Sequence, residues 1–290
     1  MTMLTLAPPT PVAGTAGAGT AQPALGITAP ARTAGPIATA RAVAGRTTRR
    51  FVRTPQLLVV STISGAMFLL IFRYVFGGAI NTGSLPYVDF LVPGYLVTSV
   101  LFTGSNAASG VAEDLEAGIT DRFRSLPVSR TALLTGRVMA EGALLTLGLA
   151  ITTALGLAVG FRPHGSILQA VAAFGLCVAF GFAFMWVFAT LGLVAGTAQA
   201  AQGLSLMIFP VSFVSSAMVP VDSMPGWMQP IAEHQPITVV TNAVRSLALG
   251  SPQAAGLSGS TAHWVVLALA WTVGIVVVFA PLAVRRYRRV

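Results

Sequence analysis

The 290-residue sequence predicts an all-α membrane protein with six transmembrane helices. Three observations lead there. Only 9% of residues are charged and the mean hydropathy is +0.79, whereas a soluble chain carries about 25% charge; so little charge cannot cover a water-facing surface of this size. Six apolar runs follow one another, each with about 18 residues or more, enough to cross a ~30 Å hydrocarbon core as a helix. None of them alternates with the period of two that a spanning barrel strand needs, so helices are the remaining way to satisfy the backbone in lipid.

Residues 1–35 are rich in Ala, Thr, Gly and Pro, with no charge before Arg32. Pro8, Pro9, Pro11 and the glycines up to Gly19 interrupt any signal-peptide core, and a disordered cytoplasmic tail is expected. Residues 36–55 are expected to form a basic helix. Arg46, Arg49, Arg50 and Arg53 recur at i, i+3, i+4 and i+7 and so line one face. That face fits a membrane-surface helix lying on anionic lipid; a solvated basic face fits the same spacing.

The transmembrane domain is expected over 56–290. Its spans are predicted at about 57–76, 90–112, 138–161, 167–195, 203–220 and 264–284. All 17 basic residues are arginine. With the N-terminus placed inside, fourteen of them fall on cytoplasmic segments and three (Arg73, Arg162 and Arg245) fall outside or near outer ends. The positive-inside rule then puts both termini in the cytoplasm of a multi-pass plasma-membrane protein. In the third span, Glu141 follows Arg137 by four residues and is expected to pair with it. Gly148, Thr152 and Gly156, with Gly175 and Gly181 in the fourth span, are expected to let helices approach closely.

Several functions are excluded by what is missing. With no lysine, the chain cannot hold a standard P-loop, whose lysine reaches the β- and γ-phosphates. The net charge of +9 follows membrane topology rather than a contiguous basic surface, and no nucleic-acid partner is expected. The lone Cys177 sits in an apolar run and reads as a small buried residue. His164, His234 and His263 have no metal-ligand spacing, and neither HExxH nor GxSxG is present. No acidic residue is expected mid-span, which argues against a proton-coupled carrier.

Chemistry concentrates in two segments. The cytoplasmic connection 113–137 holds four of the eight acids: Glu113, Asp114, Glu116 and Asp121. Gly118 follows the acidic cluster, Arg122 follows Asp121, and Pro127 breaks the next turn, so a short helix, a turn and a second helix are expected. Such an element suits docking of a soluble partner through ion pairs; a solvated loop that only sets topology is the other reading. The outer connection 221–262 is mostly apolar and carries Pro220, Pro225, Pro230 and Pro236 at or near its start, which forbid a long straight helix. Trp227 suits a membrane interface. Short helices dipping into the outer leaflet, or a loop lying flat on the membrane, both fit.

These residues resemble the type-2 ABC exporter permeases, in particular the daunorubicin-resistance permease group. In the 113–137 segment the resemblance rests on Glu113-Asp114, Gly118, Asp121-Arg122, Leu126-Pro127 and Ser129-Arg130. Further on it rests on Tyr74 to Gly77, Phe209-Pro210, Phe213 to Ser216, Val219-Pro220, Met224 to Trp227, and Arg245 to Gly250. Gln235-Pro236 departs from the Asn-Pro of many relatives. The resemblance covers about residues 50–290. It implies a non-enzymatic permease subunit, with no cofactor on this chain and ATP and Mg on a partner ABC ATPase present in two copies. It also implies a second permease copy, forming a homodimer in the lipid bilayer. Glu113, Asp114, Glu116, Gly118, Asp121, Arg122 and Pro127 would form the ATPase-coupling loop. Pro210, Pro220, Pro225, Trp227 and Pro236 would belong to a re-entrant outer gate between the fifth and sixth spans. The cargo implied is an amphipathic drug, antibiotic or lipid. A polysaccharide or glycolipid exporter and an ATP-independent secondary transporter are the alternatives.

Overall fold

The computed structural model describes residues 55–80, 82–83, 85–118 and 130–289. The expected tail, the basic helix with Arg46, Arg49, Arg50 and Arg53, and the loop residues Asp121, Arg122 and Pro127 lie outside the described residues. Among the described residues all regular structure is helical. The helices are α1 (Pro55–Ile71, continued by a π-turn Phe72–Phe76), α2 (Tyr87–Glu116), α3 (Arg130–Ala158), α4 (Ile167–Ala195), α5 (Ala198–Leu206), α6 (Ile208–Phe213), α7 (Gln229–His234), α8 (Pro236–Ala248) and α9 (Thr261–Arg289). Of these, α2, α3, α4 and α9 are each long and apolar enough to cross a membrane, and α1 is a shorter apolar helix.

Local chemistry accounts for the boundaries. At the start of α4, Ser166 and Gln169 form a reciprocal capping box that satisfies two otherwise orphan N–H groups. Gly196 ends α4 in the left-handed conformation at φ 74°. Thr197 then caps α5 by accepting the Ala200 N–H. The expected fifth span is not one continuous helix. It is divided into α5 and α6 at Met207, and residues 214–220 are irregular. Pro210 supplies the reason: it has no N–H for the Leu206 carbonyl, so it sits in the first turn of a new helix, where that loss costs least.

α2 is the most enclosed of the four long helices and α9 the least. α2 packs against α4, α5, α8 and α3, while α9 packs mainly on α4 and α8. In lipid there is little hydrophobic drive between helices, so close packing holds them. Gly104 makes this possible between α2 and α4, because a Cβ there would overlap the Phe188 ring. Gly156 and Gly181 behave as expected: an added Cβ would lie 2.7 Å from Val92 and 2.6 Å from Leu145. Gly148 and Gly175 do not, since each faces open space. Phe68 of α1 stacks on Tyr95 of α2 at 5.5 Å, and Tyr95 Oη donates to the Gly65 carbonyl at 3.0 Å.

Candidate functional site

The first cluster lies where α2 ends and α3 and α5 begin. Arg137 of α3 forms an ion pair with Asp114 of α2 and lies 3.7 Å from Glu141 one turn along its own helix. Glu141 is buried, so the expected i,i+4 pair is present, and the same guanidinium also ties α3 to α2. Glu116 Oε2 accepts the Ala198 N–H at 3.3 Å, placing a carboxylate at the N-terminus of α5, where the helix dipole favours negative charge. Gly118 ends this turn at φ +61°, a conformation that favours glycine. Of the acids proposed from sequence to meet a partner, Asp114 and Glu116 thus hold helices of this chain together. Glu113 is exposed.

The second cluster lies at the opposite end of α2. Residues 214–218 leave the helical ladder, and their backbone groups are taken up by side chains. Gln235 donates through its Nε2 to the Val214 carbonyl. The Ser216 N–H donates to Thr238 Oγ1 at 3.0 Å, and Ser216 Oγ donates to Asn242 Oδ1 at 3.1 Å. The Ala217 N–H donates to Ser215 Oγ at 3.2 Å. Tyr87 Oη donates to the Met218 carbonyl at 3.3 Å. Backbone groups that leave a helix need other partners, and here side chains of α2, α8 and the segment itself supply them.

Arg245 is the centre of this arrangement. It was expected outside or near an outer end, and among the described residues it is 1% exposed and the largest of the fully buried side chains. Its Nη2 donates to the Ser216 carbonyl at 2.6 Å and to the Ala217 carbonyl at 3.0 Å. Its Nη1 donates to Ser216 Oγ at 3.3 Å, and its Nε to the Phe90 carbonyl at 3.0 Å. The guanidinium also lies 3.6 Å from the centre of the Phe90 ring, a cation–π contact. Thr238, Asn242 and Arg245 recur at i, i+4 and i+7, so one face of α8 carries all three.

α2 is shaped to receive this segment. Pro93 provides no N–H for the Asp89 carbonyl, and beside that gap the Phe90 carbonyl accepts from Arg245. A Cβ on Gly94 would overlap the Ala217 carbonyl oxygen, so only glycine lets the segment sit this close. Asp89 itself is buried and accepts the Arg162 N–H at 3.3 Å. It lies in the first turn of α2.

The gate prolines expected from sequence divide between break points and surface. Pro210 lies in the first turn of α6 and Pro236 opens α8. Pro220 precedes a 3₁₀ turn, Val221–Ser223. Pro225 and Trp227 are exposed, Trp227 at 72%. Of the holding set, sequence reading named Ser216 and Arg245 only as parts of matching motifs and missed Tyr87, Phe90, Gly94, Thr238 and Asn242. A Pro-Gly pair inside an apolar run was the available signal.

Residues 39–249 match the family described as ABC-2 type transporter. The chain is 35% identical over 240 residues to the daunorubicin resistance ABC transporter permease protein DrrB1 of Streptomyces coeruleorubidus, covering 82% of each chain. It is 26% identical over 246 residues to the probable doxorubicin resistance ABC transporter permease protein DrrC of Mycobacterium tuberculosis (strain CDC 1551 / Oshkosh), covering 83% of this chain and 84% of that one. To the doxorubicin resistance permease protein DrrB of the same organism it is 27% identical over 247 residues, covering 80% of this chain and 84% of that one. With the match spanning most of its length, this multi-pass membrane chain belongs to the ABC-2 type transporter family.

Proposed function

We infer that this chain is the permease subunit of an ATP-binding-cassette exporter and moves an amphipathic drug, antibiotic or lipid out of the cell. ATP hydrolysis takes place on a separate ABC ATPase, two copies of which serve two copies of the permease. Family membership and the drug-resistance names of the relatives support the class of activity. One structural observation carries the mechanism: residues 198–218 form an uninterrupted path between the two clusters. Its lower end is fixed by Glu116 on α5, and its upper end is the irregular segment held by α8 and α2. Two short helices of 9 and 6 residues reach roughly 22 Å at 1.5 Å per residue, which is most of the thickness of a bilayer core.

In this reading α5, α6 and the 214–218 segment together make the fifth span, and α7 and α8 form the re-entrant outer element. With α1, α2, α3, α4 and α9 the count is six, and both termini face the cytoplasm. ATP-driven motion of the 113–130 loop against the ATPase shifts α5, and the shift is delivered to the outer gate. Cargo leaves near residues 210–245.

The test is a detergent pull-down of the tagged protein with its candidate ATPases co-expressed. A stoichiometric ATPase is expected, and it is lost when residues 113–130 are replaced. Replacing Gly118 by valine, or reversing the charges of Asp121 and Arg122, is expected to leave membrane insertion intact and to uncouple hydrolysis from export. A permease that copurifies with no ATPase would remove the reading in favour of an ATP-independent transporter.

A further inference from the structure

We propose that Arg245 is a latch: it is the positioning residue that keeps residues 214–218 docked on α2, and its release opens the outward path. The proposal rests on the exporter reading for the identity of that path, and on the structure for the latch itself. Three observations carry it. One buried side chain makes four hydrogen bonds to three different residues, tying α8 to both α2 and the irregular segment. The Ser216 and Ala217 carbonyls receive guanidinium donors in place of the amide donors a helix would have provided, so these two carbonyls depend on this residue for their partners. Among the described residues its partners are carbonyls, a hydroxyl and an aromatic ring, with no carboxylate.

The absence of a carboxylate is what makes this a latch rather than a rivet. A buried cation paired with an anion is strongly held, because separating the two leaves two uncompensated charges. A buried cation held only by neutral dipoles has no such counter-ion to abandon. If the segment lifts and water enters, the guanidinium exchanges carbonyl oxygens for water oxygens and recovers hydration that burial had removed. That recovered hydration lowers the cost of lifting the segment, Tyr87, Thr238, Gln235 and Asn242 let go of it at the same time, and a push along 198–213 drives the change. The fork geometry is essential. Arginine presents five donors in a plane and can serve Phe90, Ser216 and Ala217 at once, whereas a lysine ammonium is a compact point charge. The seat on α2 is equally specific, since Gly94 alone permits the approach of Ala217.

The test uses the full-length protein in proteoliposomes, with Cys177 replaced by alanine so that one reporter thiol remains. Met218→Cys reports on the docked segment and Leu101→Cys reports on the bundle; both positions are buried, at 4% exposure. Modification by a membrane-impermeant maleimide is followed without ATPase. Arg245→Lys is expected to speed modification of Met218→Cys at least tenfold and to leave Leu101→Cys unchanged. Ser216→Ala, which removes one guanidinium acceptor together with the Ser216–Asn242 hydrogen bond, is expected to give a smaller increase of two- to fivefold, beyond any increase given by Asn242→Ala, and it tests the proposal should Arg245→Lys fail to insert. Equal rates with and without the change at Arg245, or at Ser216 where only that variant inserts, would overturn the latch, as would an equal rise at both reporters. With the ATPase assembled, Arg245→Lys is expected to keep hydrolysis within twofold and to lower cargo moved per ATP at least fivefold. A proportional fall of both would reduce Arg245 to a structural residue and sink the proposal. The labelling needs neither ATPase nor cargo, so it separates failure of the latch from failure of the exporter reading, which appears as an absent ATPase.

Discussion

Two residues show how differently the same side-chain type behaves in this bundle. Gly104 and Gly148 are both glycines inside long helices. A Cβ at Gly104 would enter the ring of Phe188, which is itself fully buried, whereas a Cβ at Gly148 would meet nothing within 4 Å. Gly104→Ala is therefore expected to destabilise by about 1–3 kcal/mol through overpacking. Gly148→Ala is expected to be neutral or to stabilise by up to ~1 kcal/mol through helix propensity. Thermal unfolding in detergent separates the two, and equal shifts would contradict the packing of α2 on α4. A third residue gives a test of the opposite kind. The Thr241 hydroxyl is buried without a hydrogen-bond partner, and an unsatisfied buried polar atom costs about 1–3 kcal/mol. Thr241→Val keeps the shape and removes the hydroxyl, so the variant is expected to be as stable as the parent or more so. A clear loss of stability would mean that the hydroxyl makes a bond in the folded protein. At this scale the sequence was half legible. Small residues in the third and fourth spans pointed to close approach, but their spacing did not tell Gly156 and Gly181, which are in contact, from Gly148 and Gly175, which are not.

The helix ends carry the coupling between elements. Arg137 serves Asp114 of α2 and Glu141 of its own helix, and its side chain is 13% exposed. Removing the cation from Glu141, 7% exposed, and Asp114, 35% exposed, costs less than the ~3–5 kcal/mol of a fully buried pair; screening at Asp114 brings the expectation for Arg137→Met to about 2–3 kcal/mol. Adding Glu141→Gln should restore part of that loss, because the buried carboxylate is then neutral. The double-mutant cycle measures this coupling directly, and additive losses would show that the two residues act independently. The i,i+4 spacing of Arg137 and Glu141 could be read from sequence because helix geometry fixes it. The Asp114 contact could not, since it depends on where two helices separated by a turn come together. The division at Met207 had a visible cause in Pro210, yet the apolar run around it read as continuous: hydropathy averages over a window and does not register one missing N–H.

On the scale of the whole molecule, two clusters sit at opposite ends of α2 and are joined by residues 198–218. That arrangement makes topology testable. A cysteine replacing Ser129, in a Cys177→Ala background, is expected to react with an impermeant maleimide only from the cytoplasmic side. Labelling from outside would invert the bundle and with it the assignment of coupling loop and gate. The sequence by itself determined that this chain lives in lipid, that its secondary structure is helical, and which family it resembles. Those properties follow from composition, run length and short motifs, and each is local along the chain. It also located the acidic loop and the proline-rich segment where the chemistry concentrates. Only the tertiary structure decided that Arg245, counted from sequence among the outer arginines, is buried beneath an irregular segment, and that Asp114 and Glu116 bind helices of their own chain. The physical reason is common to both. A polar group in a membrane protein is placed by the partners that satisfy it, and those partners (the Phe90 carbonyl 155 positions away from Arg245, the Ala198 N–H 82 positions from Glu116) are brought within reach only by packing.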